Sequence, residues 1–277
     1  MFLQKISKYL AFFDYYCYTY FQRRLGKGLM DMNTNGELYI ALNEIAQYEQ
    51  PVVFDVGANV GNFTAKIVFH CKQATLHCFE PDTQCMQKLQ SRFSDNQNII
   101  LFKGAISNHS GTVTLFGTPD GTLTASSSIY PHYYLANQAN TEFVPMITLD
   151  EYTKTHAIEH IHYIKVDVEG AEVPLLRGAT RLLADQKIDF IQLEYNQTWL
   201  KSHSTFEDIW EICEQYGYKL YRILPHALMR IDFYHYILDD FFYQNLLMVA
   251  NRIAPHSKIK KNKIPTILQQ HNNNASS

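Results

Sequence analysis

The stretch Pro51-Val-Val-Phe-Asp-Val-Gly-Ala-Asn-Val-Gly-Asn-Phe63 constrains this chain more than any other. Val52 to Val56 is apolar and mostly β-branched, broken only by Asp55, which is the pattern of a buried strand. Gly57 to Gly61 then turns the chain, and Phe63 to about His70 reads as a helix. A buried strand, a glycine-containing turn and a helix, in that order, are how an α/β sheet offers its backbone to a nucleotide. Gly57 and Gly61 admit dihedrals closed to other residues and carry no side chain to hold a ligand away.

The rest of the chain lays further strands beside this one. Ala74 to Phe79 is a second strand closing on Glu80, Pro81 and Asp82, and Met86, Leu89 and Phe93 follow at helical spacing. Ile99 to Phe102 is a third strand. Alternation of this kind implies parallel neighbours joined by right-handed crossovers. Gly111 to Phe116 and Val144 to Leu149 break the rhythm as two more strands. Between them lie a hydroxyl-rich loop, Thr122 to Ser128, and the aromatic run Tyr130-Pro-His-Tyr-Tyr134. An inserted β and loop segment near strand ends is the usual cover of a substrate.

The sheet resumes at His162 to Val168. Pro174 then sits near the first turn of one helix with Leu175, Leu176, Leu182 and Leu183 on its apolar face. Asp189 to Leu193 is a fifth strand, closing on Glu194. Ser204 and Glu207 have capping-box spacing before a helix that buries Phe206, Ile209, Trp210 and Cys213 and stops at Gly217. Tyr218 to Leu224 and Asn245 to Ala250 complete the sheet as antiparallel partners. The expected organisation is a helical, aromatic-rich extension over 1–48, an α/β domain over 49–254 and a polar, disordered tail over 255–277.

Bulk properties narrow the partners. A net charge of -3 over 277 residues implies no broad basic surface, so no nucleic-acid partner is expected. The five cysteines contain no Cys-x-x-Cys pair. Cys71, Cys78 and Cys85 fall on a helix end, a strand and a helix, so they read as free thiols rather than zinc ligands. His160 and His162, which precede a buried strand and form no evident ligand set with a cysteine or carboxylate, read as surface or edge histidines. Free thiols fit the reducing cytoplasm. No apolar run is long enough to cross a bilayer, and Gln4, Lys5, Lys8 and Asp14 interrupt any leader-like core. Residues 1–30 combine Phe2, Tyr9, Phe12, Phe13, Tyr15 and Tyr16 with Lys5, Lys8, Arg23 and Arg24. They read first as a helix packed across one edge of the domain. The second reading is peripheral contact with the inner face of a membrane or with a partner protein.

Three features fall at the carboxyl ends of neighbouring parallel strands, where open α/β sheets bind ligands. The first is the turn. Asn59 replaces the middle glycine of a dinucleotide fingerprint, and no Gly-Lys-Ser/Thr follows, so a nucleoside without phosphates suits it better than NAD or ATP. S-adenosylmethionine is such a ligand, and Asp55 stands ready to orient the turn or to meet its amino-acid end. The second is Glu80, about twenty residues on, where a carboxylate can accept both ribose hydroxyls. The third is Lys165-Val-Asp167-Val-Glu169. Strand alternation would put Lys165, Asp167 and Glu169 on one side.

Jointly these residues resemble the FkbM-type methyltransferases. The resemblance rests on Asp55 to Phe63, Phe79-Glu-Pro-Asp82, Gly104 to Ser107, Thr148-Leu-Asp150, Ile164 to Glu172 and Leu175 to Ala179, and covers roughly residues 50 to 200. It implies a Rossmann-like, seven-stranded, mostly parallel sheet flanked by helices, and methyl transfer from S-adenosylmethionine to a hydroxyl of a sugar, glycan or other small-molecule acceptor. Cofactor contacts would come from Asp55, Gly57, Ala58, Asn59, Gly61 and Asn62 around the methionine portion. Glu80 would hold the ribose, with Pro81, Asp82 and Ala105 against the adenine and Thr124 to Ser128 as further wall.

Loss of the acceptor's proton calls for a base. Asp167 is the first choice and Glu194 the second, with Lys165 tuning Asp167 or steadying the oxyanion and Glu169 binding acceptor hydroxyls. Magnesium held by Asp167, Glu169 and Glu194 is an alternative route. Transfer to nitrogen, or a noncatalytic cofactor-binding module, are the rival functions. Tyr130, His132, Tyr133 and Tyr134 suit stacking on sugar faces.

Packing of the aromatic segment against the domain predicts that deleting residues 1–25 leaves liposome flotation unchanged. Flotation that is lost on deletion would establish the membrane contact instead.

Overall fold

The computed structural model describes residues 13, 16, 17, 19, 20, 22, 23, 25–117, 127–131 and 141–260. Helix α1 (Glu37–Ile45) leads into β1 (Val52–Val56), and the glycine turn into α2 (Asn62–His70). Next come β2 (Thr75–Phe79), α3 (Thr83–Phe93) and β3 (Ile99–Phe102). The inserted segment holds β4 (Ala105–Ile106), β5 (Gly111–Phe116) and β6 (Thr141–Ile147). Then follow α4 (Leu149–Thr155), β7 (Ile161–Val166), α5 (Glu172–Arg177), α6 (Thr180–Ala184) and β8 (Ile188–Tyr195). Helix α7 (Phe206–Tyr216), β9 (Tyr218–Leu224), β10 (Ala227–Ile231), β11 (Gln244–Ala250) and β12 (Ile259–Lys260) complete the described chain.

One sheet carries the strand order β12-β10-β9-β11-β8-β7-β1-β2-β3, and a second, smaller sheet the order β4-β6-β5. The expected seven strands are the run from β9 to β3, parallel except for β11. Nine strands stand where seven were expected. The surplus is β10, which folds back on β9 as an antiparallel partner, and β12, which pairs with β10 at the edge.

Strand alternation sorts the core into two layers. Val53, Tyr163 and Phe190 face Ile40, Ala41 and Ile67 from α1 and α2. Phe54, Ile164 and Leu193 face Tyr152, Leu176 and Ile209 from the helices of the other side. At about 25 cal/mol per Å2, burying side chains of this size contributes roughly 1.5–3 kcal/mol each before chain entropy is set against it. Ile40, Ala41 and Ile45 are fully buried, so α1 belongs to the core of the α/β domain.

Several local expectations shift. The residues taken as one helix after Pro174 form two, α5 and α6, and the chain between them passes Gly178, where a Cβ would strike the Ser107 carbonyl. Thr148, expected inside a strand, instead caps α4 by accepting from the Glu151 N–H. The capping box lies one residue later than read: Thr205 and Asp208 satisfy each other's amides, while the Ser204 hydroxyl pairs with Ser202. All five cysteines are free, on the elements expected for Cys71, Cys78 and Cys85.

The tail also begins later than residue 255. The buried Glu44 carboxylate accepts the His256 and Ser257 amides at 2.8 Å each, and the Lys258 carbonyl accepts from Leu228. Residues 261–277 lie outside the described residues, as does most of the aromatic segment. No described helix is long and apolar enough to cross a membrane.

Removing the Glu44 carboxylate leaves the buried Ser257 amide without its partner. Glu44→Ala is expected to lower stability by about 2–3 kcal/mol in urea unfolding and to speed amide exchange at Ser257 and Leu228.

Candidate active site

Register brings the first charges together. β1 and β7 pair in parallel with Asp55 beside Lys165, both on the side of the sheet that carries α1 and α2. Lys165 Nζ lies 2.8 Å from Asp167 Oδ2 and 3.8 Å from Glu37 Oε1, with the Phe63 ring beneath it. Burial works against this ammonium, but Asp167, Glu37 and Asp55 outweigh it and hold its pKa above the ordinary lysine value. Asp55 is fully buried. Its Oδ2 accepts from the Thr64 hydroxyl at 2.6 Å, and its Oδ1 has no protein partner. Burial raises the Asp55 pKa against the pull of Lys165.

The turn is tied to the end of β2. Gly57 and Ala58 both donate to the Phe79 carbonyl at 3.0 Å. Gly57 takes φ +83°, and a Cβ there would run into the Asp167 carbonyl, so glycine is what lets β7 close on the turn. Asn59 sits at φ +50°, a region asparagine tolerates better than most residues, and donates its N–H to Glu80 Oε2 at 2.7 Å. Glu80 Oε1 accepts from the Asp82 N–H at 2.9 Å. Each of these oxygens keeps a second acceptor position, so Glu80 retains capacity for two hydroxyls. Asp82 caps α3 through the Gln84 and Cys85 amides.

Two cavities share Gly57, Asn59 and Asp167 in their walls. The first, open to solvent, spans about 690 Å3 and runs from Glu80, Pro81 and Asp82 to Ala105. The second, about 900 Å3, is lined by Asp55, Ala58, Asn62, Lys165 and Glu194. The expected cofactor residues therefore divide between them, with one exception. Gly61 lines neither; it starts α2, and a Cβ there would strike Leu89 and Phe93, so its lack of a side chain serves helix packing.

Glu169 also departs from expectation. β7 ends at Val166 and Glu169 takes φ +55°, so the alternation that would set it with Lys165 and Asp167 no longer applies. It lines the first cavity, where the Ser128 hydroxyl donates to its carbonyl at 2.8 Å. Burial and then Asp167 push its carboxyl up to about 7, against the pull of Lys201 and Lys165. Glu194, at the end of β8, accepts from the Asn196 amide at 2.6 Å, and burial followed by Asp167 and Glu169 raises its pKa well above the ordinary value. Ser127 and Ser128 stand in the cavity wall as expected. Thr124, His132, Tyr133 and Tyr134 lie outside the described residues.

Two residues of the second cavity carried no signal in the sequence. Glu37 looks like an ordinary acidic residue in a first helical turn, and Tyr243 like an aromatic lead-in to a strand. Only packing of α1 and the approach to β11 bring them to Lys165, Asp167 and Glu194. Burial, then Glu194 and Glu37, raise the Tyr243 pKa and keep the phenol protonated.

Asp167, Glu169 and Glu194 do not gather their oxygens as a shared ion would require. Among the described residues, the one such group of three is His160, His162 and Asp189, at the opposite end of the sheet. A carboxylate does therefore stand beside the two histidines, contrary to the sequence reading. Asp189 already accepts from Tyr48 and pairs with His160 and Arg252, so a guanidinium occupies the place a cation would take.

A mostly parallel sheet with this strand order, and a cleft at its strand ends, defines a Rossmann-like α/β fold. The sequence model of the methyltransferase FkbM domain matches residues 55–220, and the chain belongs to that family. It is 26% identical over 184 residues to the 2-O-methyltransferase NoeI of Sinorhizobium fredii, covering 63% of this chain and 75% of NoeI. It is 26% identical over 148 residues to the hexuronic acid methyltransferase AglP of Haloferax volcanii, covering 53% of this chain and 56% of AglP. Among solved structures, the Methanococcus jannaschii fibrillarin pre-rRNA processing protein superposes with a TM-score of 0.43 at 14% identity, over 80% of this chain and 76% of that one. A likeness this loose carries no functional weight.

The buried carboxylates make stability depend on pH. Burial lifts Glu80 and Glu169 to about 7 and Glu172 to about 8, against an ordinary 4.5. Between those values the folded chain holds more protons than the unfolded one, so stability falls as pH rises. His77, pushed down to about 4 by burial, works the other way, but only below its ordinary 6.5. From pH 6.5 to 8.5 the ligand-free protein is therefore expected to lose stability, by roughly 1 kcal/mol for each group near 7. Glu169→Gln should flatten that loss, read as urea midpoints across the window.

Proposed function

We propose that this chain transfers a methyl group from S-adenosylmethionine to a hydroxyl oxygen of a sugar or glycan. The observation that carries the reading is the Lys165–Asp167 ion pair, set where the donor cavity and the second cavity share a wall. The residues present fit the donor. Glu80 has free acceptor capacity for the ribose, and Pro81, Asp82 and Ala105 wall the space for the adenine. Asp55 Oδ1, buried and unpartnered, suits the ammonium of the amino-acid end. Bound there, S-adenosylmethionine supplies an electrophilic methyl group on a positively charged sulfur.

The chain's own residues supply positioning and proton transfer. An alcohol loses its proton as its oxygen is methylated, and Asp167 takes that proton as general base. Lys165 fixes the Asp167 carboxylate and steadies the negative charge that develops on the acceptor oxygen. Glu194, at the end of the next strand, is the second group able to take the proton, while the protonated Tyr243 hydroxyl binds acceptor hydroxyls and Glu169 stays on the donor side. Holding the acceptor in line with the methyl group supplies much of the rate. Magnesium has no part in this route, because Asp167, Glu169 and Glu194 are not arranged around a common point. The names of NoeI and AglP support oxygen as the methylated atom and a sugar as the acceptor.

Asp167→Asn should keep donor binding, measured by calorimetry, and lower turnover by about 100- to 10,000-fold in a tritiated-methyl transfer assay. Turnover near that of the unaltered chain would exclude Asp167 as the base.

A further inference from the structure

We infer that the acceptor is a neutral or amine-bearing sugar with no carboxylate or phosphate near the methylated hydroxyl, and that Glu37 sets this preference by occupying Lys165. The inference rests on the methyl-transfer reading above and narrows its substrate class. Asp31, Glu37, Asp55, Asp167 and Glu194 stand in the wall of the second cavity, and Lys165 is the single cation among its described lining residues. That cation is committed. It is buried, it pairs with Asp167 at 2.8 Å and with Glu37 at 3.8 Å, and its register neighbour is Asp55.

An acidic acceptor would bring another negative charge beside the buried Glu37 and Asp55 and the half-buried Asp167 and Glu194, with no further cation among the described lining residues to meet it. A desolvated charge without a partner is strongly disfavoured. The carboxylate of the donor's own amino-acid end would compete for the same lysine. Neutral hydroxyls, by contrast, find Asn33, Asn62 and Tyr243, and an ammonium finds the carboxylates.

Glu37 is held in place by its own neighbours. Its N–H donates to Asn35 Oδ1 at 2.8 Å, and the Asn35 amide reaches its Oε2 at 3.5 Å. It also lies on α1, ahead of the residues 55–220 that match the family. By this criterion the acceptor differs from the hexuronic acid named for the Haloferax relative.

The test uses the full-length protein, tritiated S-adenosylmethionine and matched para-nitrophenyl glycosides of the gluco and galacto series, each as the neutral sugar, the 2-amino sugar and the uronic acid. The neutral or amino member of a series should exceed its uronide in kcat/KM by tenfold or more. Glu37→Gln should shrink that ratio at least fivefold, chiefly through a lower KM for the uronide, because Lys165 is then released from one carboxylate. A uronide methylated as well as its neutral counterpart overturns the inference and leaves methyl transfer standing. Donor binding without label on any glycoside overturns both. The comparison within the unaltered protein holds whether or not the variant folds, and an unchanged ratio in a folded Glu37→Gln protein removes Glu37 from the account.

Discussion

The contact on which the rest depends is the approach of Asp167 to Gly57. The Asp167 N–H donates to the Val56 carbonyl at 2.9 Å, and its own carbonyl fills the space that any side chain at residue 57 would occupy. That approach closes β7 on the glycine turn and sets the pair Lys165–Asp167 beside Asp55. A single buried ammonium then organises three carboxylates from two strands and a helix. Removing one member of such a group leaves an uncompensated buried charge, on the order of 3–5 kcal/mol. Fold and chemistry therefore share one set of interactions.

From this junction the two cavities take on different characters. The donor side is built largely from backbone: the turn amides point at Phe79 and Glu80, and Glu80 in turn holds Asn59 and Asp82. It is closed by the inserted strands, which Glu142 pins to Thr83 and Lys103. The second cavity is built from side chains, with α1 and the approach to β11 as its outer wall. The first cavity is lined entirely by residues within the span that matches the family, whereas the second adds residues from outside it, among them Asn33, Glu37 and Tyr243.

Much of the site was legible in the linear chain because the residues concerned sit at the ends of strands whose boundaries are sharply marked. Asp55, Gly57, Asn59, Glu80 and Asp167 could be placed by strand alternation and by a turn that no regular element tolerates. The misreadings have a common cause. Glu169 was assigned by alternation past the point where the strand stops, and Gly61 was assigned to a ligand although its neighbours are Leu89 and Phe93. The His160 and His162 pair seemed to lack a carboxylate because Asp189 is close only across β7 and β8.

The sequence by itself determined the alternation of strands and helices, the turn that receives a nucleoside without phosphates, and the strand-end carboxylates, because each is written in residues close together along the chain. Tertiary structure alone decided that β10 and β12 extend the sheet, that Glu44 anchors the segment after residue 255, and that Glu37 and Tyr243 stand over Lys165 and Asp167. These depend on contacts between residues far apart in the chain, where no local period or propensity carries information.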